Sequence, residues 1–390
     1  MTPTKIAIIG AGGWMGRIHA AGYMNIPYFF GERGLMAEVV LAVESAEHLQ
    51  AQVERYLPNA RFTTNWRDAI EDPGVELVDI CLPDNMHYEV ARTALLAGKH
   101  VFCEKPLTSS AGQARELADI AKDKNLRTRV GHAFPRNPVH DLAHEIISSG
   151  EIGKVTLFRG SQHVDTFGDP EAPFVWRADG NLAPTGIVGD TGSHLFSFMC
   201  FLVGRTETLL ADNYIIASHR PRAAGTGVEV KEGLRRESEL AEVTNPDGTN
   251  MVCRFECGAR GSVNFSRIAT GKGFEQTYEI FGTRGSITFD YREMNRLHLY
   301  SLSDREGRRG YRAIDVGPEN ANFAAFLPLR NLGLGYNETK FIEMAEMLRS
   351  IATGQDMWPT FEDGHHICQM VDACIESSRL QNWVNVAGMR

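Results

Sequence analysis

Short apolar runs alternate with helical patterns over the first 130 residues of the chain. Five of these runs are candidate strands, namely KIAIIG, VVLAVE, VELVDICLP, KHVFCEKP and RTRVGHAF. Between them, apolar residues recur at helical spacing, with one such segment ending at Gly98 and another following the cap candidates Ser109 and Ser110. Strands that alternate with helices are typical of a doubly wound parallel sheet. The pattern therefore predicts an open α/β domain over residues 1–131.

The pattern changes after residue 132 to longer alternating strands separated by turn dipeptides such as Asp247-Gly248. This change predicts a second α/β domain over residues 132–390, built on a large open and mainly antiparallel sheet. Two polar segments, residues 223–239 and 303–309, are predicted surface loops. Near the end of the chain, ETKFIEMAEMLRSIATG and HHICQMVDACIESSRLQ are predicted helices.

Composition narrows the class of protein. The 390 residues are enough for two domains, and a net charge of −9 argues against a nucleic-acid partner. The seven cysteines contain no CxxC pair, which favours a reducing cytoplasm without disulfides or zinc. No basic leader and no apolar stretch of about 18 residues is present, so we expect neither export nor a membrane partner.

A glycine-rich turn follows the first strand and opens a helix, in the sequence IAIIGAGGWMGRIHA. Gly10, Gly12, Gly13 and Gly16 allow a tight turn and the close approach of a pyrophosphate to the helix N-terminus. The spacing departs from GxGxxG because Met15 stands where the third glycine would be. The turn predicts dinucleotide binding, with an ordinary glycine-rich turn as the alternative.

An acidic residue ends the second predicted strand. Glu44 stands where a carboxylate accepts hydrogen bonds from the adenosine ribose, which favours NAD. Ser45 follows it with no arginine next in sequence, so NADP remains open.

A lysine follows the predicted strand KHVFCEKP directly. Glu104-Lys105-Pro106 places an ammonium at the carboxyl edge of the sheet, where open α/β folds bind ligands. Pro106 lacks an N–H and ends the strand. We predict that Lys105 lies in the active site, and a solvated surface lysine is the alternative.

Asp190 and His194 lie four residues apart in GIVGDTGSHLFSF. If a helix has begun by Asp190, the two side chains share one face of its first turn. An imidazole near a helix N-terminus and a lysine is expected to be neutral at pH 7 and able to accept a proton. The alternatives are a helix cap for Asp190 and a structural histidine for His194.

Together these stretches resemble one known family over nearly the whole chain. The chain is similar to the glucose-fructose oxidoreductase, inositol dehydrogenase and rhizopine-catabolism family (Gfo/Idh/MocA). The resemblance lies in GGWMGRIHA, DICLPDNMHYEVARTALLAGKHVFCEKPL, RNPVHDLAHEIISSGEIGKV, WRADGNLAPTGIVGDTGSHL, YEIFGTRGSITFDYREMNRLHLY and ATGQDMWPTFEDGHHICQMVDACIESSRLQNWVNV. Within the family, it resembles most the branch of levoglucosan dehydrogenase and related glycoside dehydrogenases.

The resemblance implies a fold, a cofactor and a set of site residues. It implies an N-terminal Rossmann domain, a homodimer or homotetramer, and catalysis by Lys105, Asp190 and His194. Taken with the glycine turn, it implies a cofactor site formed by Gly10, Gly12, Gly13, Trp14, Met15, Gly16, Glu44, Ser45, Pro83, Asn85, His87, Glu104, Lys105, Trp176 and Arg177.

Two departures from the family pattern concern the expected substrate pocket. Ser197 stands where relatives often have an aspartate, and HAFPR stands where they often read FNYR. The candidates for substrate contact are Lys105, His132, Arg136, His163, Asp165, Trp176, Asp190 and His194.

The predicted activity is an NAD(P)-dependent dehydrogenase that acts on a secondary hydroxyl of a sugar, glycoside, anhydrosugar or cyclitol, with no metal. Position C3 of a pyranoside is one possible site of oxidation. Two alternatives remain: a glycosidase that uses the nicotinamide transiently for oxidation and elimination, and a nucleotide-binding sensor without catalysis.

Overall fold

The computed structural model describes residues 2–31, 34–223 and 236–389. The chain forms two compact units, one made of Met1–Asp141 and Val316–His365 and the other of Leu142–Asp315 and His366–Arg390. The predicted domain boundary at residues 131 and 132 is a different division of the chain, and it stays a prediction.

The described strands are two to nine residues long. In chain order the described strands are β1 (Thr4–Ile9), β2 (Ala37–Val43), β3 (Arg61–Thr63), β4 (Leu77–Ile80), β5 (His100–Glu104), β6 (Thr128–Gly131), β7 (Val155–His163), β8 (Thr206–Tyr214), β9 (His219–Ala223), β10 (Arg236–Glu242), β11 (Gly248–Phe255), β12 (Arg260–Ser266), β13 (Glu275–Gly282), β14 (Gly285–Asp290), β15 (Arg296–Ser301), β16 (Arg312–Asp315) and β17 (Val384–Asn385).

All but one of the ten described α-helices lie before residue 150 or after residue 320. In chain order the described α-helices are α1 (Trp14–Phe30), α2 (Gln50–Tyr56), α3 (Arg67–Glu71), α4 (Asp84–Leu96), α5 (Ala111–Asp123), α6 (Pro138–Ser148), α7 (Ser193–Leu202), α8 (Ala321–Ala324), α9 (Tyr336–Thr353) and α10 (Phe361–Leu380). As predicted, Ser110 caps α5, because its side chain accepts a hydrogen bond from the backbone N–H of Gln113.

The first unit contains a parallel sheet of six described strands in the order β3-β2-β1-β4-β5-β6. Every pair in this sheet is parallel. Strands such as β4 are buried along their whole length, since helices cover both faces of a doubly wound sheet. The order reverses between β1 and β4, and ligands bind outside the carboxyl ends of the strands at such a point. The predicted Rossmann fold is confirmed.

The core of the first unit includes a helix from a distant part of the sequence. Tyr23 and Ile26 of α1 are buried in the same apolar cluster as Ile342, Met344 and Met347 of α9. Helix α9 was predicted as a terminal helix, and the structure places it against the glycine-turn helix because its apolar stripe needs cover.

The second unit contains a mixed sheet of nine described strands, in the order β16-β15-β14-β13-β7-β12-β11-β8-β17. Strand β7 pairs in parallel with β12 and antiparallel with β13, and the other pairs are antiparallel. Strands β9 and β10 form a separate antiparallel pair. The predicted large, mainly antiparallel sheet is therefore confirmed. The predicted homodimer or homotetramer stays a prediction.

One predicted loop needs correction at its ends. Residues 224–235 lie outside the described residues, but Ala223 ends β9 and residues 236–239 belong to β10. The loop prediction was wrong there because cross-strand pairing outweighs the polar composition of the segment. Within the described ranges, every helix is too short or too polar to span a lipid bilayer.

Candidate functional site

The glycine turn joins β1 to α1 at the carboxyl edge of the parallel sheet. Gly10 has a φ of +88°, which favours glycine. A Cβ atom on Gly16 would lie 2.1 Å from the carbonyl oxygen of Gly10, so only glycine lets the helix pack this closely on the turn. Gly13 is the N-cap of α1 and is exposed. The turn therefore presents the start of α1 to solvent, an arrangement that fits a pyrophosphate.

Glu44 connects the end of β2 to the glycine turn. Its Oε2 accepts a hydrogen bond from the backbone N–H of Gly12 at 3.1 Å, and its Oε1 lies 3.3 Å from the backbone nitrogen of Ala46. These contacts hold a half-buried carboxylate beside the turn, and Ser45 next to it is exposed. The position matches the one that a ribose-binding carboxylate occupies in dinucleotide folds.

An aromatic group lies at the start of α1. The ring of Trp14, which is 60% exposed, stacks on Tyr336 with centroids 5.9 Å apart and planes 11° apart. Tyr336 also lies 5.5 Å from the ring of Phe134 and 4.0 Å from the sulfur of Met15 through its hydroxyl. Sequence reasoning missed Tyr336, because it is 322 positions after Trp14 and no local pattern joins them.

Lys105 directly follows the last residue of β5, as predicted, and is partly exposed. His132 follows the end of the neighbouring strand β6 and is buried. Burial, together with the positive charge of Lys105, lowers the pKa of His132 to about 3. His132 is therefore neutral at pH 7.

His87 braces the segment that carries Lys105. Its two ring nitrogens lie 2.8 Å from the carbonyl oxygen of Pro106 and 2.9 Å from that of Leu82. The side chain is buried. His87 thus holds the residue after Lys105, while its predicted contact with the cofactor stays a prediction. Pro83 and Asn85 lie between Leu82 and His87 in sequence, and both are exposed.

Glu104 faces inward, away from solvent. Its Oε1 lies 3.1 Å from Nε2 of His19 and 2.5 Å from Nζ of Lys340. Burial alone would raise the pKa of Glu104, but Lys340 and His19 outweigh it and hold that pKa well below its usual range. Its predicted contact with the cofactor stays a prediction.

His19 lies between two acidic residues. Its Nδ1 lies 2.8 Å from Oδ2 of Asp79. Burial alone would lower the pKa of His19, but Asp79 outweighs it and keeps that pKa well above its usual value. Cys81 is the third member of this cluster, and burial raises the pKa of its thiol to about 12. Since carboxylates hold both ring nitrogens and the thiol stays protonated, the cluster forms a hydrogen-bonded group. The predicted absence of a metal stays a prediction.

Asp190 and His194 lie at the start of a helix in the second unit. Residues Val188–Gly192 form a π-helical turn that continues into α7. The N-cap of α7 is Gly192. Helical backbone has therefore begun by Asp190, and the cap interpretation of Asp190 is wrong. Asp190 is exposed and His194 is half-buried.

Arg177 faces Asp190 from a preceding loop. Its Nε lies 3.8 Å from Oδ2 of Asp190, and its guanidinium lies 4.5 Å above the ring of Trp176. The carbonyl oxygen of Arg177 accepts hydrogen bonds from Arg267 at 2.9 Å and from Asn245 at 3.0 Å. Sequence reasoning missed these two anchors, which belong to strand ends and turns distant in sequence.

Three residues expected near the substrate have side-chain contacts within their own units, namely Arg136, His163 and Ser197. Arg136 is buried and pairs with Asp141 at 2.7 Å and with Glu346 at 3.1 Å. Nδ1 of His163 lies 2.9 Å from Oγ of Ser266. Asp165, two residues after His163, is half-buried.

Ser197 is fully buried and donates a hydrogen bond to the carbonyl oxygen of His194 at 2.6 Å. Its hydroxyl is thus used within α7, and substrate contacts by the others stay predictions.

The predicted site residues divide between the two units. The glycine turn, Glu44, Lys105 and His132 belong to the first unit, at the carboxyl edge of its sheet. A second group belongs to the other unit: His163, Asp165, Trp176, Arg177, Asp190 and His194. The predicted catalytic group of Lys105, Asp190 and His194 stays a prediction.

Two family models match this chain. Residues 4–132 match the oxidoreductase family with an NAD-binding Rossmann fold, and residues 140–288 match the GFO/IDH/MocA C-terminal domain. The first match covers the glycine turn, Glu44, Lys105 and His132, which confirms the prediction of an NAD-type cofactor.

Two relatives that are named dehydrogenases match most or nearly all of this chain. Levoglucosan dehydrogenase of Pseudarthrobacter phenanthrenivorans is 34% identical over 386 residues, which are 99% of both chains. Myo-inositol 2-dehydrogenase of Thermotoga maritima is 27% identical over 300 residues, which are 76% of this chain and 75% of the relative.

Solved structures agree with these matches. Levoglucosan dehydrogenase in complex with NADH and levoglucosan superposes with a TM-score of 0.90 at 33% identity, over 99% of this chain and 100% of that chain. An NAD-binding oxidoreductase from Klebsiella pneumoniae superposes with a TM-score of 0.91 at 31% identity, over 99% of both chains. The chain therefore belongs to the Gfo/Idh/MocA family of oxidoreductases.

Proposed function

We propose that the protein is an NAD-dependent dehydrogenase that oxidises a secondary hydroxyl of a sugar, anhydrosugar, glycoside or cyclitol. The observation that carries this proposal is the position of Lys105 at the carboxyl end of β5, on the same edge of the parallel sheet as the glycine turn and next to the strand that ends before the buried His132. An ammonium at this edge of a dinucleotide-binding sheet lies where open α/β folds hold ligands.

Each residue in the proposed mechanism has one role. Lys105 donates a hydrogen bond to the reacting oxygen and stabilises negative charge as it develops. His194 takes the hydroxyl proton as general base, and Asp190 orients the hydrogen bonds around it. The bound nicotinamide supplies the hydride acceptor.

The relatives and the polar side chains of the proposed site support this substrate class. One relative is a levoglucosan dehydrogenase and another a myo-inositol 2-dehydrogenase, so both act on cyclic polyols. Arg177, His163 and Asp165 are partly exposed polar groups of the kind that bind hydroxyls. We propose C3 of a pyranose ring as the carbon to test first.

The test measures the reduction of NAD and of NADP by absorbance. The purified protein is assayed with each member of a panel of free sugars, anhydrosugars, glycosides and inositols. We expect turnover with at least one ring polyol and with NAD in preference to NADP. Aglycone release from a glycoside without accumulation of NADH would instead show a transient-redox glycosidase. Nucleotide binding without turnover on any compound would indicate a sensor.

Replacing Glu44 by glutamine is expected to lower the preference for NAD over NADP by about 10- to 100-fold, because a hydrogen bond to a charged group contributes about 1.5–3 kcal/mol. Glutamine keeps an acceptor for the N–H of Gly12, so the turn stays anchored. The measurement is the ratio of kcat/KM values for the two nucleotides. Glu47→Gln, an exposed neighbour, is the control. An unchanged ratio in Glu44→Gln would show that this carboxylate does not select the cofactor.

A further inference from the structure

Helix α9 carries a buried charged face as well as its apolar face. Lys340, Glu343 and Glu346 follow one another at intervals of three residues and are each at most 4% exposed. Intervals of three place side chains on the same side of a helix. Such a triplet on a helix that also packs into an apolar core requires partners, because an unpaired buried charge is strongly unfavourable.

Lys340 has partners on two strands and on its own helix. Its Nζ lies 2.5 Å from Oε1 of Glu104, 3.4 Å from the carbonyl oxygen of Gly131 and 3.0 Å from Oε2 of Glu343. Glu104 is the last residue of β5 and Gly131 the last residue of β6. One ammonium group therefore connects the carboxyl ends of two adjacent strands.

The space around Glu104 leaves little freedom. A Cβ atom on Gly131 would lie 2.4 Å from Oε1 of Glu104, so the carboxylate packs directly against the backbone of β6. On its other side, Nε2 of His19 lies 3.1 Å from the same oxygen. Lys340 and His19 thus hold the carboxylate from two directions.

The charges are complementary. Burial alone would lower the pKa of Lys340, but Glu104 and Glu343 outweigh it and raise that pKa well above its usual value. The same ammonium is the main group that holds the pKa of Glu104 low. Both members are therefore charged at neutral pH.

The residues next in sequence are those of the proposed site. Lys105 follows Glu104, and His132 follows Gly131. Strands β5 and β6 pair in parallel with Glu104 opposite Gly131, so Lys105 and His132 leave the sheet from adjacent strand ends. Displacing either strand end would move Lys105, His132 or both.

Stability alone does not explain this ion pair. A buried ion pair contributes little net stability, and well-packed apolar residues of similar volume often replace one without loss. A buried ion pair whose remaining donors and acceptors are also satisfied instead holds its two side chains in a fixed position. Catalysis depends on position, since a displacement of about 1 Å can lower a rate by about 100-fold.

We propose that Lys340 is a positioning residue for Lys105, which it holds in place by tying Glu104 at the end of β5 to the end of β6. The proposal rests on the proposed function, in which Lys105 acts on the substrate. Lys340 is 1% exposed, so the proposal gives it no contact with the substrate.

The test replaces Lys340 by methionine, which keeps much of the volume and removes the charge. We expect kcat to fall about 10- to 100-fold, with the Kd for NAD changed by less than about threefold. In the Lys105→Ala background, Lys340→Met is expected to lower kcat by less than about twofold, because residues that act as a unit are not additive.

Lys99→Met is the matched control. Lys99 is also a buried lysine of the first unit, and its Nζ lies 2.8 Å from the carbonyl oxygen of Asp72 and 2.7 Å from that of Val75. Lys99 directly precedes the first residue of β5, at the end of the strand opposite Glu104. Five residues of extended strand place it about 16 Å from Glu104. We expect Lys99→Met to destabilise the protein while changing kcat by less than about threefold.

Lys340→Arg keeps the charge and is expected to retain kcat within about tenfold of the parent protein. If Lys340→Met does not fold, Lys340→Arg becomes the test, and a loss of kcat well beyond about tenfold in the folded variant would overturn the proposal. Equal loss of kcat in Lys340→Met and Lys99→Met, or the same fold-loss with and without Lys105, would overturn the proposal.

A readout independent of activity separates this proposal from the proposed function. Hydrogen exchange, measured by mass spectrometry, is expected to accelerate over residues 103–106 and 130–133 in Lys340→Met but not in Lys99→Met. If the parent protein turns over no compound, the proposed function fails and exchange alone decides whether Lys340 braces the strand ends. Unchanged exchange at both strand ends would overturn the bracing.

Discussion

Replacing Lys105 by alanine is expected to lower kcat by about 100-fold or more while the affinity for NAD stays nearly unchanged. Lys105 follows the end of β5, and its ammonium is proposed to donate a hydrogen bond to the reacting oxygen. Alanine removes a charged donor that acts as negative charge develops, and it leaves the glycine turn and Glu44 intact. The measurements are kcat with the preferred substrate and the Kd for NAD.

The control for this experiment is Lys124→Ala, which removes an exposed lysine after α5 in the same unit. It is expected to change kcat by less than about twofold, because surface substitutions away from a site have small effects. If Lys105→Ala kept full turnover, Lys105 would not be catalytic and the proposed mechanism would fail.

Replacing Gly16 by alanine is expected to destabilise the first unit by about 1–3 kcal/mol, the usual effect of overpacking. The added Cβ would lie 2.1 Å from the carbonyl oxygen of Gly10 and 2.8 Å from Cα of Ala11, both backbone atoms. Because α1 must move away from β1, we also expect kcat/KM for NAD to fall by about 100-fold. Denaturant unfolding and steady-state kinetics measure the two effects.

Gly13→Ala is the control for stability. Its added Cβ would lie 3.5 Å from the carbonyl oxygen of Gly10, an ordinary contact, and the backbone there already has a φ of −70°. Because alanine is a poorer N-cap than glycine, we expect the free energy of unfolding to fall by no more than about 1 kcal/mol. Equal destabilisation by both substitutions would show that the contact between the helix and the turn does not account for the effect.

Local features of the chain predicted several parts of the site. The glycine turn, the lysine at the end of β5 and the acidic end of β2 each depend on a few neighbouring residues, and the structure places all three at one edge of the parallel sheet. Parallel strands present their carboxyl ends on the same side, so locating each strand was enough to bring these residues together.

Contacts distant in sequence depended on the tertiary structure. The pairing of β7 with both β12 and β13, the stacking of Tyr336 on Trp14 and the ion pair of Lys340 with Glu104 join positions far apart in the chain. The spacing of Lys340, Glu343 and Glu346 was visible, but a charged stripe on a helix normally faces solvent.

The sequence by itself determined the fold class, the position of the dinucleotide turn and the lysine at the strand end, because periodicity and turn chemistry act over a few residues. Only the tertiary structure decided that α9 returns to the first unit and that its charged face is buried beneath Glu104. That choice depends on which surfaces remain uncovered once the parallel sheet has formed, and burial of apolar area against α1 selects the helix that covers them.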